Sequence, residues 1–486
     1  MFTPFFPGLR SSLAALGRGL RERPATGAQE LECFFASVFP ESLFVSAPAG
    51  PNSRKRLFTL QRTFWLFLFQ ALTPKTALRE ACHQLRSLLE LSGPVDNEVT
   101  CGALSRARGR IPVDLFREAL RHSADKACSR AARLPLLAGR DIRIIDATSL
   151  KLADTPRNQE RYPQPSTQAE GCGFPVMKVM ALFCLKSGAA LNFATAIQTL
   201  HDTPLAHELW PHLKRGDILL GDRAFGDFVT LAMLPLRGVD VLTRLHQGRS
   251  IDFRKALRRF GPGDGIFVWR KPIKRPDWMA PEPWREVPDE ITVRVVRRRV
   301  ASRCGRIRDV YIATTLLDPV KYPAAEIVDT YRRRWRIELS FRDIKTTMEM
   351  EHLRAQSPEI ATKELLAALI AYNLVRITMI EAGRRHHAEV ERLSFKGTVD
   401  AVRQYSPRMA RARSMNGMQR LRAGLFRAVA KDIVPLRPGR REPRAVKRRP
   451  KPFPQLTVPR HKYREMPHRN RWKRGMRRTK AASSTR

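Results

Sequence analysis

Two short apolar runs in this chain each end in an aspartate, and they limit the possible folds more than any other feature. Asp146 follows Ile142, Ile144 and Ile145 in DIRIID, and Asp222 follows DILLG. Runs this short and rich in β-branched or aliphatic residues read as buried strands. Between them, PVMKVMALFCLKSGAALNFATAIQT reads as two strands joined at a hairpin-type turn, Ser187-Gly188. A helical stretch, TPLAHELWPHL, precedes the second aspartate run. Strands interleaved with helices point to an α/β protein. A charged residue after an apolar strand often marks only where the strand leaves the core, so neither aspartate alone argues for chemistry.

The flanking segments have other characters. Residues 1–55 form an N-terminal extension closed by the turn cluster PAGPNS. Residues 56–136 read as helical. There TPKTALREACHQLRSLLEL is expected to start a helix behind Thr73, with Pro74 in its first turn. Ser105, Arg106, Arg108 and Arg110 crowd one short helical segment, the pattern of a helix-turn-helix-like DNA reader or of a bundle with a basic face. Residues 249–315 alternate Gly- and Pro-rich turns with runs such as ITVRVVRRRV, a β-rich insertion. The chain turns helical again after Pro323, and TKELLAALIAYNLVRITMIEAGRR suggests a buried helix. Residues 386–436 continue as a C-terminal helical region.

Charge narrows the partner. The 89 Lys and Arg against 46 Asp and Glu leave a formal net charge of +43. Such a surplus selects a polyanion over a small neutral metabolite, and nucleic acid is the first candidate. From Arg437 to Arg486, 19 Lys and Arg face only Glu442 and Glu465, and seven prolines oppose helix. This basic tail, 437–486, is expected to be disordered. The longest strongly apolar run, Phe64 to Leu72, is far shorter than the ~20 residues that span a bilayer, so no membrane association is expected. No signal-peptide pattern opens the chain, and its seven cysteines form no CxxC pair, which fits reduced thiols in a cytoplasmic protein. His201, Asp202, His207 and Glu208 do not reproduce HExxH, and GPGDG at 261–265 lacks the Lys-Ser/Thr of a phosphate loop.

A third carboxylate changes the weight of the two aspartates. On a helix advancing ~100° per residue from Tyr331, Arg334 falls near −60°, Glu338 near −20° and Lys345 near −40°. These four side chains share one stripe, while Asp343 lies about 140° from Glu338. A phenol, a guanidinium, a carboxylate and an ammonium on one face suit metal-bound phosphate. The same spacing also describes a salt-bridged helix with Arg334 and Glu338 as an i,i+4 pair.

The spacing Y-(2)-R-(3)-E-(6)-K of Tyr331, Arg334, Glu338 and Lys345 resembles the signature of bacterial cut-and-paste transposases of insertion-sequence family four. IIDATSL, GDRAF, the β-rich insertion, AYNLVR at 371–376 and the basic tail are similar to that family in the same order, over roughly 75–486. The resemblance implies a DDE enzyme with a ribonuclease-H-like catalytic core over 137–248 and 316–385, preceded by a helical DNA-binding domain at 56–136. It makes Asp146, Asp222 and Glu338 the catalytic residues and the ligands of two Mg²⁺ (or Mn²⁺) ions. Tyr331, Arg334 and Lys345, with Arg223 beside the second aspartate, would contact DNA phosphates. A tryptophan of the insertion would stack on a flipped base, with Trp269, Trp278 and Trp284 as candidates. The implied partners are double-stranded DNA, as terminal inverted repeats and target, and a second copy of the chain in the synaptic complex at the bacterial nucleoid. Two alternatives keep the same core: a domesticated DNA-binding protein without activity, and a metal-dependent nuclease without strand transfer.

Overall fold

Burial along β1 (Ile142–Lys151) explains how the layers are built. Ile142 and Ile144 join the core on one side of the sheet, and Ile145 joins a second core on the other. Helices must therefore cover both faces. From Asp146 onward the strand is only half-buried until Leu150, which is where the sheet opens to solvent. β1 pairs antiparallel with β2 (Val176–Cys184), and β2 with β3 (Ala190–Ile197). On its other side β1 runs parallel to β4 (Ile218–Gly221), and β4 parallel to β5 (Asp240–Arg244). The order β3-β2-β1-β4-β5 is the ribonuclease-H-like arrangement that the family resemblance implies.

The sheet does not stop at β5. β6 (Arg258–Gly261), β7 (Asp264–Arg270), β8 (Glu290–Ala301) and β9 (Ile307–Thr314) form an antiparallel meander, and β9 pairs antiparallel with β5. The insertion thus continues the core sheet to nine strands. Arg294 of β8 is fully buried, with a bidentate contact to Asp264 at 2.8 and 2.6 Å and a third bond to the Tyr322 carbonyl at 2.7 Å. It ties the meander to the segment entering the next helix. At the β2–β3 turn Gly188 has φ +69°, and a Cβ there would lie 2.7 Å from the Arg376 guanidinium, which donates to the Ser187 carbonyl.

This computed structural model describes residues 35–45, 57–73, 75–90, 99–246, 248–301, 307–410, 412, 414–436, 456–459 and 462. The N-terminal extension and the basic tail fall largely outside that set. The helices α1 (Leu60–Leu72), α2 (Leu78–Glu90), α3 (Cys101–Arg110) and α4 (Val113–Arg130) precede the sheet. α2 begins at Leu78 and not behind Thr73, because Lys75 takes φ 68°, a left-handed value that a right-handed helix does not pass. Further on, α5 (Phe228–Leu236) joins the second core. α6 (Ala324–Arg332) carries Tyr331 and α7 (Arg336–Arg342) carries Glu338, with Arg334 in the short turn between them.

α8 (Pro358–His386) is the central support, packing on α1 and α4 and starting at Ser357, whose side chain caps Ile360. Among the described residues, α8 alone is long and apolar enough to cross a bilayer, yet 94% of its most apolar window is buried inside the protein. It is a core helix. Lys363, fully buried in α8, donates to the carbonyls of Arg108 and Gly109 at 3.2 and 2.9 Å and to Glu359 at 2.7 Å. Arg108 itself points inward, bonded to Glu364 at 2.5 Å and lying over the Phe67 ring. Of the four residues crowded on α3, Arg108 is therefore structural. α9 (Phe395–Ala410) and α10 (Met415–Lys431) pack together and against α8.

Candidate active site

The strand register brings the two aspartates together. Ile142 pairs with Ile218 and Ile144 with Leu220 along the parallel β1–β4 ladder. Continuing that register by two residues sets Asp146 beside Asp222, on the face that Ile144 and Leu220 share. Both lie where β4 ends, outside the carboxyl edge of the parallel pair, where open α/β sheets place their ligands. The Asp222 side chain caps the following turn, accepting from the Ala224 N–H at 2.7 Å. Asp146 Oδ1 accepts from the Ala147 N–H at 2.9 Å.

The signature segment packs on that same face through Ile337, Phe341 and Ile344, all in the first core. It is not one regular helix. A 3₁₀ turn at Arg333–Trp335 separates α6 from α7, and a π-turn follows at Asp343–Thr347. The 3₁₀ turn advances faster than an α-turn and the π-turn slower, so the two departures offset. Lys345 accordingly returns to the carboxylate side, where Nζ donates to Thr148 Oγ1 at 3.3 Å. Asp343 faces elsewhere, into a pocket with Arg336, Arg342 and Arg376.

Arg334 closes the constellation. Its Nη1 donates to Asp146 Oδ2 and its Nη2 to Glu338 Oε1, each at 3.2 Å. Burial pushes the Asp146 carboxyl up to about 6, and Asp222 and Glu338 add to the rise, while the Ala147 N–H and Arg334 oppose it. Asp146 therefore lies within electrostatic reach of both other acids. Burial also works against the Arg334 charge, but Tyr331, Asp146 and Glu338 outweigh it and hold its pKa above the ordinary value. Burial raises the Tyr331 hydroxyl, which sits beside Arg334.

Asp146, Thr148, Glu338 and Lys345 share a cleft of about 410 Å³. Asp222 and Arg223 open into another of about 820 Å³, lined also by His201, His246 and Arg249. His246 and Arg249 do not stand out in the sequence, and His201 does so only as part of a grouping that fails HExxH, because what brings His201 to the other two is the fold and not the chain. The insertion tryptophans are engaged. Trp269 is 6% exposed with Arg249 over its ring at 4.0 Å, Trp278 meets His207 edge-on, and Trp284 carries Lys271. Trp335, between Arg334 and Arg336, is 57% exposed. Sequence reasoning passed over it; its place inside an arginine-rich signature was the available signal.

The profile of the transposase DDE domain matches residues 137–374, the span that contains both aspartates and the glutamate. The chain is also 26% identical over 417 residues to the transposase InsG of insertion sequence element IS4 from Escherichia coli K12, covering 82% of this chain and 88% of that one. This chain is a DDE transposase. A probable transposase of element IS5377 from Geobacillus stearothermophilus is 21% identical to this transposase, over 73% of its chain and 86% of the relative. A solved piggyBac transposase synaptic complex with hairpin DNA aligns with TM-score 0.40 and 10% identity, over 86% of this chain and 87% of that chain.

Transposases of this family cleave DNA and transfer its strands, using divalent metal ions. The donor chemistry of the acids suits such ions, since hard dications take carboxylate oxygens. Their arrangement is not a ready cage: among the described residues no three His, Cys, Asp or Glu groups stand close enough to hold one ion. A guanidinium lies between two of the three acids of this transposase.

Proposed function

We propose that Asp146, Asp222 and Glu338 are the catalytic carboxylates and that they hold two Mg²⁺ or Mn²⁺ ions. One observation carries this reading. Arg334 bonds both Glu338, on its own segment, and Asp146, 188 residues away, while the Asp146 carboxyl responds to both other acids. Bound there, the ions supply the Lewis acidity that phosphoryl transfer between oxygens needs. The chain's own residues do the rest. Tyr331, Arg334, Lys345 and Arg223 bind DNA phosphates and fix the scissile bond against the carboxylates, Arg334 through a planar fork that matches phosphate oxygens. Exposed Trp335 stacks on a base next to those phosphates, a contact open to any base because each has a π-face.

The substrate is double-stranded DNA ending in the element's terminal inverted repeats, joined to target DNA by two copies of the chain acting together. The place of action is the cytoplasm, at the nucleoid. The experiment is cleavage and strand transfer of a fragment bearing those repeats, with Mg²⁺ or Mn²⁺, for the parent and for Asp146→Asn, Asp222→Asn and Glu338→Gln. Each variant is expected to lose at least 10³-fold in rate on the order seen for catalytic groups that act as a unit. Full activity in any one removes that residue from the site. Binding without cleavage by the parent protein marks the domesticated alternative.

A further inference from the structure

Arg334 is placed where two functions compete for it. As a phosphate ligand it has to reach the DNA. In this structure its two terminal nitrogens are committed to Asp146 and Glu338, and its side chain is only 18% exposed. The Glu338 contact is the ordinary neighbour of a helix, four residues along. The Asp146 contact is not local and needs the sheet and the signature helix to be assembled. Both oxygens of Asp146 are then engaged, Oδ1 by the Ala147 N–H and Oδ2 by the guanidinium.

We infer that Arg334 is the resident counter-cation of the carboxylate triad, and that divalent cations load when a DNA phosphate draws the guanidinium away. This rests on the proposed reading of the triad as the metal seat. A guanidinium and a dication on the same carboxylate oxygens repel each other, so one displaces the other. Without either, Asp146 and Glu338 would face each other across a half-buried place without the cation that now bonds to both. A phosphate offers Arg334 an equivalent bidentate partner. By linkage, DNA that takes up Arg334 raises metal affinity, and metal raises DNA affinity by the same factor. The cutting centre then assembles on DNA and stays neutralised away from it.

The test reads metal binding directly. Mn²⁺ alone is titrated into the full chain at pH 8, without DNA, and free Mn²⁺ is followed by electron paramagnetic resonance. The proteins are the parent, Arg334→Gln, Arg334→Lys, Glu338→Gln and the double variant Arg334→Gln/Glu338→Gln, with circular dichroism confirming each fold. Arg334→Gln is expected to bind Mn²⁺ at least tenfold more tightly than the parent, a difference of about 1.4 kcal/mol. The double variant is expected to lose that gain. Arg334→Lys, whose ammonium lacks the two-pronged fork, is expected to gain at least threefold and decides the matter if the glutamine variant does not fold. A 30-base-pair duplex, corrected for Mn²⁺ bound by the duplex alone, is expected to tighten Mn²⁺ binding by the parent and not by Arg334→Gln.

Equal or weaker binding by both Arg334 variants, with Glu338→Gln weaker than the parent, overturns the counter-cation role and leaves the metal seat standing. Indistinguishable binding by the parent, Arg334→Gln and Glu338→Gln overturns the metal seat itself.

Discussion

Asp343 offers a sharp check on the geometry, because it is an acid of the signature segment that faces away from Glu338. Its carboxyl is raised from 3.8 to about 6, chiefly by burial, with Arg342 and Arg376 pulling the other way. The side chain is 17% exposed, so solvent screens it little. A raised carboxyl binds its proton more tightly in the folded protein than in the unfolded chain. Stability is therefore greatest when the group is protonated and falls as pH rises through the folded value. Roughly two pKa units correspond to about 3 kcal/mol once the group is fully ionised.

Asp343→Asn removes that penalty. The same arithmetic gives a gain over the parent of roughly 1.5 kcal/mol at pH 5 and roughly 3 kcal/mol at pH 8. The attraction to Arg342 and Arg376 is already contained in that net rise. The measurement is urea unfolding followed by tryptophan fluorescence at the two pH values, with DNA cleavage assayed alongside and expected to persist. A variant less stable than the parent at pH 8, or a gain that does not grow with pH, would refute the burial argument. Loss of cleavage with the fold intact would put Asp343, not Glu338, among the working acids.

Lys363→Met strands two buried carbonyls and should cost about 3 kcal/mol of stability in the same urea assay, the scale of breaking a buried polar set. Gly188→Ala forces a side chain into a left-handed conformation and against Arg376; about 2 kcal/mol of lost stability is expected, with strand content by circular dichroism retained. Trp335→Ala should leave the melting temperature within a degree or so, as exposed substitutions do, while weakening duplex binding by roughly 1–3 kcal/mol in fluorescence anisotropy. Unchanged DNA affinity would remove Trp335 from the interface.

Much of the centre was readable in the chain because it depends on local periodicity. The apolar run in IRIID marked the strand that carries Asp146, the Ser187-Gly188 pair marked the hairpin, and the helical stripe aligned Arg334, Glu338 and Lys345. The stripe also separated Asp343 from Glu338 correctly, although the helix is wound unevenly there. What escaped was contact between distant segments. The wheel yields the Arg334–Glu338 pair but has no access to Asp146, 188 positions away. Arg108 looked like part of a basic face because Glu364, its buried partner, lies 256 residues on. The late start of α2 turned on one left-handed backbone angle at Lys75, a residue whose type does not announce it.

The join between β5 and β9 has a consequence for the limits of change in this chain. Leu242, Thr243 and Arg244 pair with Thr314, Ala313 and Ile312, so the meander seals the outer edge of the ribonuclease-H-like strands. Excising residues 249–315 would not release a smaller, self-sufficient core. It would bare a row of unpaired amides and carbonyls beside fully buried Val241 and Leu242, an edge that recruits the strands of other molecules. A shortened relative of this protein would have to bring a substitute strand, a covering helix or charged residues to that edge, or else aggregate.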